Sequence, residues 1–449
     1  MRISLPEPFL RRMRNLLGDR FSAYEEAMEQ DPVKALYLQS SRLSPERFSG
    51  QESLLLEPVP FLPNGYYCRA EKPGVHPLHA AGAYYVQDPS AMLPVSGAPL
   101  EPGMRCLDLC ASPGGKSAQI RDRIGESGFL VSNEIGPSRC RTLAGNLERI
   151  GAVNTLITNA DAGRIAAWYP SFFDFVLVDA PCSGEGMFRK YPESVSEWNE
   201  KLPAYCAARQ KDLLKAAAGT VAPGGYLLYS TCTFSTEENE EVVRFLLDLD
   251  PSLRLTEFPD AVRSVTEPGI GLPACRRFYP FLAPGEGQFM ALFRKETGNP
   301  DSNPALGFRD ARGFIGRSDM DAAAAFLRSA VEDYASLPLC RYGDNLISAD
   351  YPVPDRNVYA PGVTVGRVEK GRLVPHHALF KSHGNRFIRR WELSPDEERI
   401  DRYLSGSELD CPLEDGWACI TTLGVPVGGV KAVGGTAKNH YPKGLRRPM

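Results

Sequence analysis

The stretch CLDLCASPGGKSAQI (residues 106–120) has the order of a buried strand, a glycine-rich turn and a helix. Asp108 ends the apolar run and Lys116 opens the helix. The glycines between them let the backbone approach a ligand, and the positive end of a helix suits an anionic or polar one. The stretch matches neither the GxxxxGK[ST] phosphate loop nor the GxGxxG dinucleotide fingerprint. Taken alone, a tight strand-to-helix turn explains it equally well.

Short apolar strands alternate with helical segments on both sides of this stretch, from about residue 104 to 295. The predicted strands are RCLDL, FLVSN, TLIT, FVLV and YLLYS. This alternation indicates βαβ units, and therefore a doubly wound α/β fold with a parallel sheet between two layers of helices. The segment RRFYPFLAPGEGQFMALFRK (276–295) predicts two further strands joined by a Pro/Gly turn, so the sheet should end in an antiparallel hairpin.

Acidic residues end four of the predicted strands at one edge of the sheet: Asp108, Glu134, Asp161 and Asp179. Glu134 comes about 20 residues after Gly114, the interval at which an acid can bind ribose hydroxyls. A single acid in such a place is usually a helix N-cap, but four in register favour a nucleoside-bearing cofactor. Because a pyrophosphate fingerprint is missing, S-adenosylmethionine is favoured over NAD, and a nicotinamide-dependent reductase is the disfavoured alternative.

Two cysteines lie at the ends of two neighbouring predicted strands on the same edge. Cys182 follows the strand in FVLVDAPCSGEG (175–186), and Cys232 ends the strand in GGYLLYSTCTFSTEEN (224–239). They can be a redox pair, a metal site, a nucleophile with a helper, or small buried side chains. The absence of CxxC disfavours zinc. A disulfide is disfavoured because the 11 cysteines show no framework spacing, which suggests a reducing compartment.

A thiol beside a methyl donor suits substitution at C5 of a pyrimidine. A thiolate that adds to C6 makes C5 enamine-like; C5 then takes the methyl group, and a base removes the C5 proton so that the thiol leaves. Asp179 can hydrogen-bond the N3 edge, and we expect Pro181 and aromatic residues near Phe188 to enclose the ring. The target base must be unpaired or flipped out. This chemistry does not decide which cysteine attacks.

Segments of the chain resemble motifs of the Sun-type (NOL/NOP/Sun) RNA cytosine-5 methyltransferases. DLCASPGGKS resembles their cofactor loop, DAPCSGEGMFRK their Pro-Cys motif, YSTCTFSTEENEEVV their Thr-Cys motif and GAYYVQDPSAM an upstream motif. The resemblance covers about residues 82–295. The C-terminal third, which ends in KNHYPKGLR, is similar to the PUA-like RNA-capture tail of the bacterial RsmF branch, which methylates small-subunit ribosomal RNA.

The resemblance implies roles for particular residues. Cys232 would be the nucleophile, as in the RNA enzymes, although DNA cytosine-5 enzymes use the Pro-Cys cysteine; Cys182 would assist product release, and Asp179 would stabilise the adduct. No metal is expected. The residues implied to hold S-adenosylmethionine are Cys110, Ala111, Ser112, Pro113, Gly114, Gly115, Lys116, Glu134, Asp161 and Asp179.

The chain is predicted to have three parts. Residues 1–98 form an N-terminal α+β extension for RNA binding or packing, residues 99–296 a Rossmann-like class I methyltransferase domain, and residues 297–449 a PUA-like α+β or β-barrel region that captures RNA. The polar segment ETGNPDSNPALG (296–307) is the predicted linker, and a helix is expected at about 318–334.

The net charge of −4 gives no global nucleic-acid signature, so a basic footprint must be local. The last 21 residues contain no acid and five basic residues: Lys431, Lys438, Lys443, Arg446 and Arg447. We therefore expect an RNA partner, ribosomal RNA within the small subunit, with no DNA or membrane partner. A cytoplasmic monomer is expected, because neither a signal peptide nor a membrane span is predicted. The alternatives are a tRNA substrate or a non-catalytic RNA-binding assembly factor.

Overall fold

The computed structural model describes residues 4–296 and 306–448, so most of the predicted linker lies outside the described residues. In the part up to residue 96, four strands form an antiparallel sheet in the order β2-β3-β1-β4, and two helices precede the first strand. These elements are α1 (Glu7–Leu17), α2 (Phe21–Met28), β1 (Ala35–Leu38), α3 (Pro45–Ser49), β2 (Leu55–Pro58), β3 (Gly65–Cys68), α4 (Pro77–Ala81), β4 (Tyr84–Gln87) and α5 (Pro89–Ser96).

The central part of the chain is the predicted alternation of strands and helices. Its elements are β5 (Arg105–Asp108), α6 (Gly115–Ile124), β6 (Phe129–Asn133), α7 (Pro137–Arg149), β7 (Thr155–Thr158), α8 (Ala162–Trp168), β8 (Phe173–Asp179), α9 (Glu193–Glu197), α10 (Leu202–Ala218), β9 (Val221–Thr231), α11 (Glu240–Leu249), β10 (Leu253–Thr256), α12 (Asp260–Arg263), β11 (Glu267–Gly269), β12 (Leu272–Phe278) and β13 (Gln288–Lys295). Strands β6 and β7 match the predicted segments residue for residue, and α6 follows the glycine-rich turn as predicted.

The order of the central sheet is β11-β12-β13-β9-β8-β5-β6-β7, and strands β5 to β9 are parallel. The chain runs outward from β5 through β6 to β7, then returns to place β8 on the other side of β5. This reversal opens a crevice at the carboxyl ends of β5 and β8, where α/β sheets bind ligands. The predicted antiparallel hairpin is confirmed, because β12 pairs with β13 and β13 pairs with β9, both antiparallel. The Rossmann-like α/β class is thereby confirmed.

The C-terminal part contains two smaller sheets, ordered β14-β15-β17-β18 and β19-β21-β22-β23-β20. The predicted helix at 318–334 is present and ends earlier, at Ala330. The elements are α13 (Arg317–Ala330), β14 (Leu339–Tyr342), β15 (Asn345–Ser348), β16 (Val358–Ala360), β17 (Val363–Glu369), β18 (Arg372–Pro375), α14 (His377–His383), β19 (Arg390–Glu392), α15 (Glu398–Ser405), β20 (Leu409–Asp410), β21 (Gly416–Thr422), β22 (Val425–Val433) and β23 (Thr436–Asn439).

Strand β16 leaves the C-terminal part and joins the central sheet. It pairs antiparallel with β7, where Val358 lies opposite Thr158. Next to it, the buried Tyr351 donates its hydroxyl hydrogen bond to the carbonyl of Thr155, at 3.0 Å. The apolar core of the central sheet therefore continues into the C-terminal part. The division at residues 98 and 296 stays a prediction about domains, since the packing crosses the second boundary.

A buried lysine joins the N-terminal and C-terminal parts. Lys381 of α14 donates hydrogen bonds from Nζ to the carbonyl oxygens of Ala80 (2.8 Å), Ala81 (2.7 Å) and Pro426 (2.8 Å). Burial, with the nearby charges of two arginines, lowers the pKa of Lys381 well below its usual range. The three carbonyls use all three of its N–H donors.

None of the helices in the described ranges has the length and apolar character that crossing a membrane requires.

Candidate active site

A cavity of about 400 Å³ opens at the carboxyl edge of the central sheet. The glycine-rich turn after β5 forms one wall, and Asp179 and Cys232, at the ends of β8 and β9, form another. Residues from outside the parallel strands complete it: Tyr85, Val86, Gln87, Asp88, Ala91, Gly184, Met187, Lys190, Tyr191, Ser194 and Gln288. The sheet thus brings the predicted cofactor loop and the Thr-Cys cysteine to one space.

Most residues predicted to hold the cofactor line this cavity: Cys110, Ala111, Ser112, Pro113, Gly115, Lys116 and Asp179. Gly114 lies in the turn but is not part of the cavity wall. Its φ of 112° favours glycine, and an added Cβ would lie 3.2 Å from Cδ1 of Leu143. Gly114 therefore shapes the loop through its backbone.

The other two predicted cofactor acids lie outside the cavity wall. Glu134 directly follows β6 and is buried; its Oε1 accepts a hydrogen bond from the Gly136 amide at 2.8 Å, and its Oε2 lies 3.3 Å from Arg139 Nη2. The prediction that Asp161 ends β7 is wrong, because that strand stops at Thr158. It is instead the exposed N-cap of α8, where it accepts from the Arg164 amide at 2.9 Å. The ordinary capping role of an acid applies to Asp161.

Asp179 is held in one orientation by two donors. Lys116 Nζ donates to its Oδ2 at 2.8 Å, and the hydroxyl of Ser230 donates to its Oδ1 at 2.6 Å. Ser230 can reach it because β8 and β9 are parallel and place the two residues side by side. The result is a fixed carboxylate at the cavity wall, with about a third of the side chain still exposed to the cavity.

Asp108 is a second carboxyl at the cavity, and it is fully buried. Its Oδ2 accepts from the hydroxyl of Ser117 at 2.7 Å, while its Oδ1 has no hydrogen-bond partner. Burial raises the pKa of Asp108 to about 7, because the ionised form loses its hydration. The open oxygen therefore belongs to a group that exchanges a proton near neutral pH.

The two cysteines lie together, as their matching positions in the sequence predict. The Sγ atoms of Cys182 and Cys232 are 3.3 Å apart, and both cysteines are free thiols. Cys232 lines the cavity, whereas Cys182 is not among the lining residues. The hydrogen bond to Cys232, followed by burial, raises the pKa of Cys182 well above its usual value. A thiol held protonated is a poor nucleophile, which favours Cys232 as the sulfur that attacks.

Two buried glutamates, missed in the sequence analysis, hold the cysteine loops together. Glu238 accepts from the Ser183 amide (2.9 Å), from Gln210 Nε2 (2.9 Å) and from the Thr233 hydroxyl (3.2 Å); burial raises its pKa to about 7. Glu185 accepts from Trp198 Nε1 at 3.0 Å and from the Phe234 amide at 3.2 Å. Glu185 lies in the Pro-Cys motif and Glu238 in the Thr-Cys motif. An acidic residue within a short loop of small residues was the sequence signal that could have identified them.

The expected aromatic wall is present only in part. Phe188 is fully buried and packs edge to face against Phe9, with ring centroids 5.0 Å apart. Neither Phe188 itself nor Pro181 lines the cavity, so that part of the expectation is wrong. Tyr191, an aromatic residue near Phe188 in the same loop, does line it, and so does Met187. The short 3₁₀ turn at Glu185–Met187 directs Phe188 towards α1 and away from the site.

Several buried polar atoms at the cavity have no hydrogen-bond partner: Gln87 Oε1, Asp88 Oδ2, Asp108 Oδ1 and Gln288 Nε2. Leaving such an atom unpaired costs about 1–3 kcal/mol, so a cluster of them at one cavity indicates a polar ligand. The main-chain N–H groups of the glycine-rich turn suit the carboxylate of S-adenosylmethionine, and the open oxygen of Asp108 suits one of its amino or hydroxyl groups. The residues present therefore fit this cofactor. Within residues 4–296 and 306–448, no cluster of His, Cys, Asp and Glu is arranged to bind a metal.

Comparison with known proteins accounts for most of the chain. Residues 98–294 match the model of the 16S rRNA methyltransferase RsmB/F family, residues 5–89 the N-terminal domain of 16S rRNA methyltransferase RsmF, and residues 391–447 the methyltransferase RsmF PUA domain. The ribosomal RNA small subunit methyltransferase F of Cronobacter sakazakii is 31% identical, covering 99% of this chain and 97% of its own. That of Vibrio vulnificus is 34% identical over 68% of this chain and 67% of its own.

A solved structure shows the same fold. The methyltransferase homologue from Pyrococcus horikoshii is 26% identical, with a TM-score of 0.57, and the match covers 66% of this chain and 96% of that one. These findings confirm the predicted resemblance, the S-adenosylmethionine-dependent class of enzyme and the PUA-like C-terminal module. The chain belongs to the RsmF family of 16S rRNA methyltransferases.

Proposed function

We propose that this chain methylates C5 of a cytosine in 16S rRNA through a transient bond between Cys232 and C6 of the ring. The observation that carries the proposal is the position of Cys232. Its side chain lines the cavity formed by the glycine-rich turn, Lys116 and Asp179. A nucleophile, a fixed carboxylate and a cofactor loop in one cavity are what covalent activation of a pyrimidine requires.

S-adenosylmethionine supplies an electrophilic methyl group when it is bound. In this proposal the loop from Cys110 to Lys116 and Asp179 hold it at the cavity wall. Glu134 and Asp161, which lie outside that wall, are proposed contacts for the part of the cofactor that extends beyond it. Asp179 has a further task, since its carboxylate also faces the reacting pyrimidine. When the Cys232 sulfur adds to C6, N3 of the ring takes up the proton that the thiol gives up, and the Asp179 carboxylate accepts a hydrogen bond from this N3–H. Because Lys116 and Ser230 fix both of its oxygens, Asp179 does so without first reorganising.

Cys182 acts later, when the methylated base is released. Once the C5 proton has been removed, the electrons of that bond form the C5–C6 double bond and the Cys232 sulfur leaves C6 as a thiolate. The thiol of Cys182, 3.3 Å from that sulfur, hydrogen-bonds the departing thiolate and stabilises it. Its raised pKa keeps the proton on Cys182 for this purpose.

Trapping with 5-fluorocytosine tests these roles, because fluorine at C5 prevents the last elimination and leaves the enzyme bound to RNA. Wild-type enzyme should form a complex that survives denaturing electrophoresis. Cys232→Ala should form none and should not methylate, whereas Cys182→Ala should stay attached even to ordinary cytosine. Cys411→Ala, which changes a cysteine far along the chain from both loops, is the control and should behave as wild type. Complexes that persist in Cys232→Ala but vanish in Cys182→Ala would reverse the two roles.

The substrate is proposed from the family of the chain, whose models and relatives are named for 16S rRNA. Bisulfite sequencing of rRNA and tRNA from cells with and without the protein tests it. Loss of a 5-methylcytosine in 16S rRNA is expected, while a loss confined to tRNA would contradict the proposal.

We also propose that the protein is a cytoplasmic monomer. Sedimentation of the purified protein at micromolar concentration would check the oligomeric state.

The C-terminal part is proposed to capture RNA. Lys431 lies opposite Lys438 on β23 and opposite Trp417 on β21, so a cross-strand row presents two exposed ammonium groups beside an indole ring. An anionic strand with stacking bases suits such a row. Two other basic residues of the tail bind within the protein: Arg446 donates to the carbonyl of Tyr441 at 3.2 Å, and Arg447 to that of His76 at 3.3 Å.

A further inference from the structure

Two buried polar side chains at the cavity are not used by the chemistry described above. Asp88 and Gln288 are 2% and 3% exposed, and both line the cavity with Cys232. Asp88 Oδ2 and Gln288 Nε2 have no hydrogen-bond partner. One is an acceptor and the other a donor, so the pair is complementary to a ligand edge that offers both kinds of group.

Asp88 is held so that only one oxygen is open. Its Oδ1 caps α5 by accepting from the Ser90 amide at 2.9 Å and the Ser90 hydroxyl at 2.6 Å, and it also accepts from the Glu286 amide at 3.2 Å. Lys190 Nζ lies 3.7 Å from Oδ2, which is an ion-pair distance beyond hydrogen-bond reach. The carboxylate is therefore fixed by its capping bonds, with Oδ2 left for a donor.

Gln288 is placed level with Cys232 by the pairing of two strands. Phe289 of β13 lies opposite Thr231 of β9, and the strands are antiparallel. Gln288, one residue before Phe289, therefore comes beside Cys232, one residue after Thr231. The loop next to it is close-packed, since the Gly287 amide donates to the Gly186 carbonyl at 2.9 Å. Gln288 thus belongs to the nucleophile's end of the cavity.

The cofactor does not account for these two residues. Gln288 begins β13, and Glu134 follows β6, four strands away in the order β13-β9-β8-β5-β6. At about 4.8 Å between neighbouring strands, the two positions are roughly 19 Å apart. Asp88 is tied to the Gln288 end by its hydrogen bond from Glu286. The pair therefore faces the space in which the target base must lie to meet Cys232.

We propose that Asp88 and Gln288 read the target pyrimidine: Asp88 Oδ2 accepts from the exocyclic amino group of cytosine, and Gln288 Nε2 donates to its O2 carbonyl. This inference rests on the proposed function. Uracil carries a carbonyl oxygen at C4, which would face the Asp88 carboxylate with no hydrogen between two acceptors. A site whose buried polar groups are left unpaired rejects the wrong ligand strongly, so the pair selects cytosine.

Two substitutions test the pair. Asp88→Asn keeps one oxygen for the capping bonds and replaces Oδ2 by a donor that suits uracil; Gln288→Met keeps the length of the side chain and removes the donor. The readouts are kcat/KM on an RNA fragment with cytosine or uracil at the position that bisulfite sequencing identifies, the Kd for S-adenosylmethionine, and the unfolding midpoint. Gln39→Met is the matched control, because Gln39 is equally buried and has an unpartnered Nε2, but lies outside the cavity.

Asp88→Asn should lower kcat/KM on cytosine about 10²-fold and shift the cytosine-to-uracil ratio towards uracil, and Gln288→Met should lower kcat/KM about tenfold. The Kd for S-adenosylmethionine should stay within about twofold in both variants, and Gln39→Met should resemble wild type in every readout. An unchanged base ratio in Asp88→Asn, or cofactor affinity lost in step with kcat/KM, would overturn the inference. If Asp88→Asn fails to fold, Gln288→Met against Gln39→Met decides.

The trapping experiment separates this failure from failure of the proposed function. A wild-type enzyme that forms the Cys232 adduct, while both variants keep the wild-type base preference, would refute only the reading role of Asp88 and Gln288. A wild-type enzyme that forms no adduct would refute the covalent role of Cys232 itself.

Discussion

Lys116 and Lys381 are both buried lysines, and the regions around them are built in opposite ways. Lys116 lies in the first turn of α6 at the cavity and donates to the Asp179 carboxylate. Lys381 lies where α14 meets α4 and β22, and its three donors all go to main-chain carbonyls. At the junction the lysine is fully satisfied by main chain, whereas the cavity leaves polar atoms such as Asp108 Oδ1 open. The amino group of Lys381 thus spends all its donors inside the fold, whereas the second oxygen of Asp108 at the cavity stays open to a ligand.

Removing the cavity lysine should have the largest effect. Lys116→Met leaves Asp179 without the cation that orients its carboxylate, so methyl transfer to small ribosomal subunits should fall about 10²- to 10³-fold. The free energy of unfolding should change by less than about 1 kcal/mol, because the Asp179 side chain is about a third exposed. Activity with labelled S-adenosylmethionine and urea unfolding measure the two quantities. A Lys116→Met protein that unfolds easily and yet methylates normally when folded would show that Lys116 serves stability and not catalysis, and would contradict this prediction.

Removing the junction lysine should do the reverse. Lys381→Met leaves the buried carbonyls of Ala80 and Pro426 without their side-chain donor, and that of Ala81 with only the longer hydrogen bond from Arg42, at 3.3 Å; the free energy of unfolding should therefore fall by about 2–3 kcal/mol. Urea unfolding measures the loss, and Lys370→Met, at an exposed turn, is the control that should change little. The folded fraction should keep the wild-type affinity for S-adenosylmethionine. A loss below about 1 kcal/mol would mean that the three hydrogen bonds contribute little to the junction.

The open carboxyl of Asp108 should make stability depend on pH. Because burial raises its pKa to about 7, the folded protein keeps a proton that the unfolded chain releases above about pH 4. The free energy of unfolding should therefore fall as pH rises from about 4 to 7, by about 1 kcal/mol per pH unit from this group. Asp108→Asn should flatten the slope while keeping the hydrogen bond from Ser117. Urea unfolding at pH 5, 6 and 7 checks this, and an unchanged slope would contradict it.

Exposed lysines should have the smallest effect. Replacing Lys431 and Lys438 together by alanine should weaken RNA binding about three- to tenfold and reduce the salt dependence of binding by one to two ions. Stability should not fall, because like charges directly opposite each other repel. Filter binding over a range of salt concentrations measures both quantities. Replacing Lys211 and Lys215 of α10 removes the same charge elsewhere, and an equal loss there would refute a specific capture surface.

Local patterns were enough to predict the central sheet. Strands β6 and β7 were found residue for residue, because apolar runs there are bounded by glycine or polar residues. The N-terminal part was predicted as α+β, but its first strands were not located, since β1 and β3 are four residues long and buried on both faces, which removes the alternation that marks a strand. Strand β16 was also missed, because its partner lies far away in the sequence.

The site was predictable where it depends on strand ends. Asp179 and Cys232 come together because neighbouring parallel strands end at one edge, and Lys116 begins the helix beside them. Gln288 could not be found in this way, because it opens an antiparallel strand whose sequence reads as core. Asp88 gave only the signal of a helix cap, and its second oxygen becomes visible once the hydrogen bonds of the first are known.

The pairing of β16 with β7 also sets an order of events on the ribosome. Thr158 leaves the exit tunnel long before Val358, and synthesis of the intervening 200 residues takes about 10–40 s. During that time the nascent sheet carries β7 as an uncovered edge, which is open to pairing with other chains. Translation of the last third of the gene is therefore a step in completing the catalytic sheet, and a stalled or shortened product would be a substrate for chaperones or aggregation.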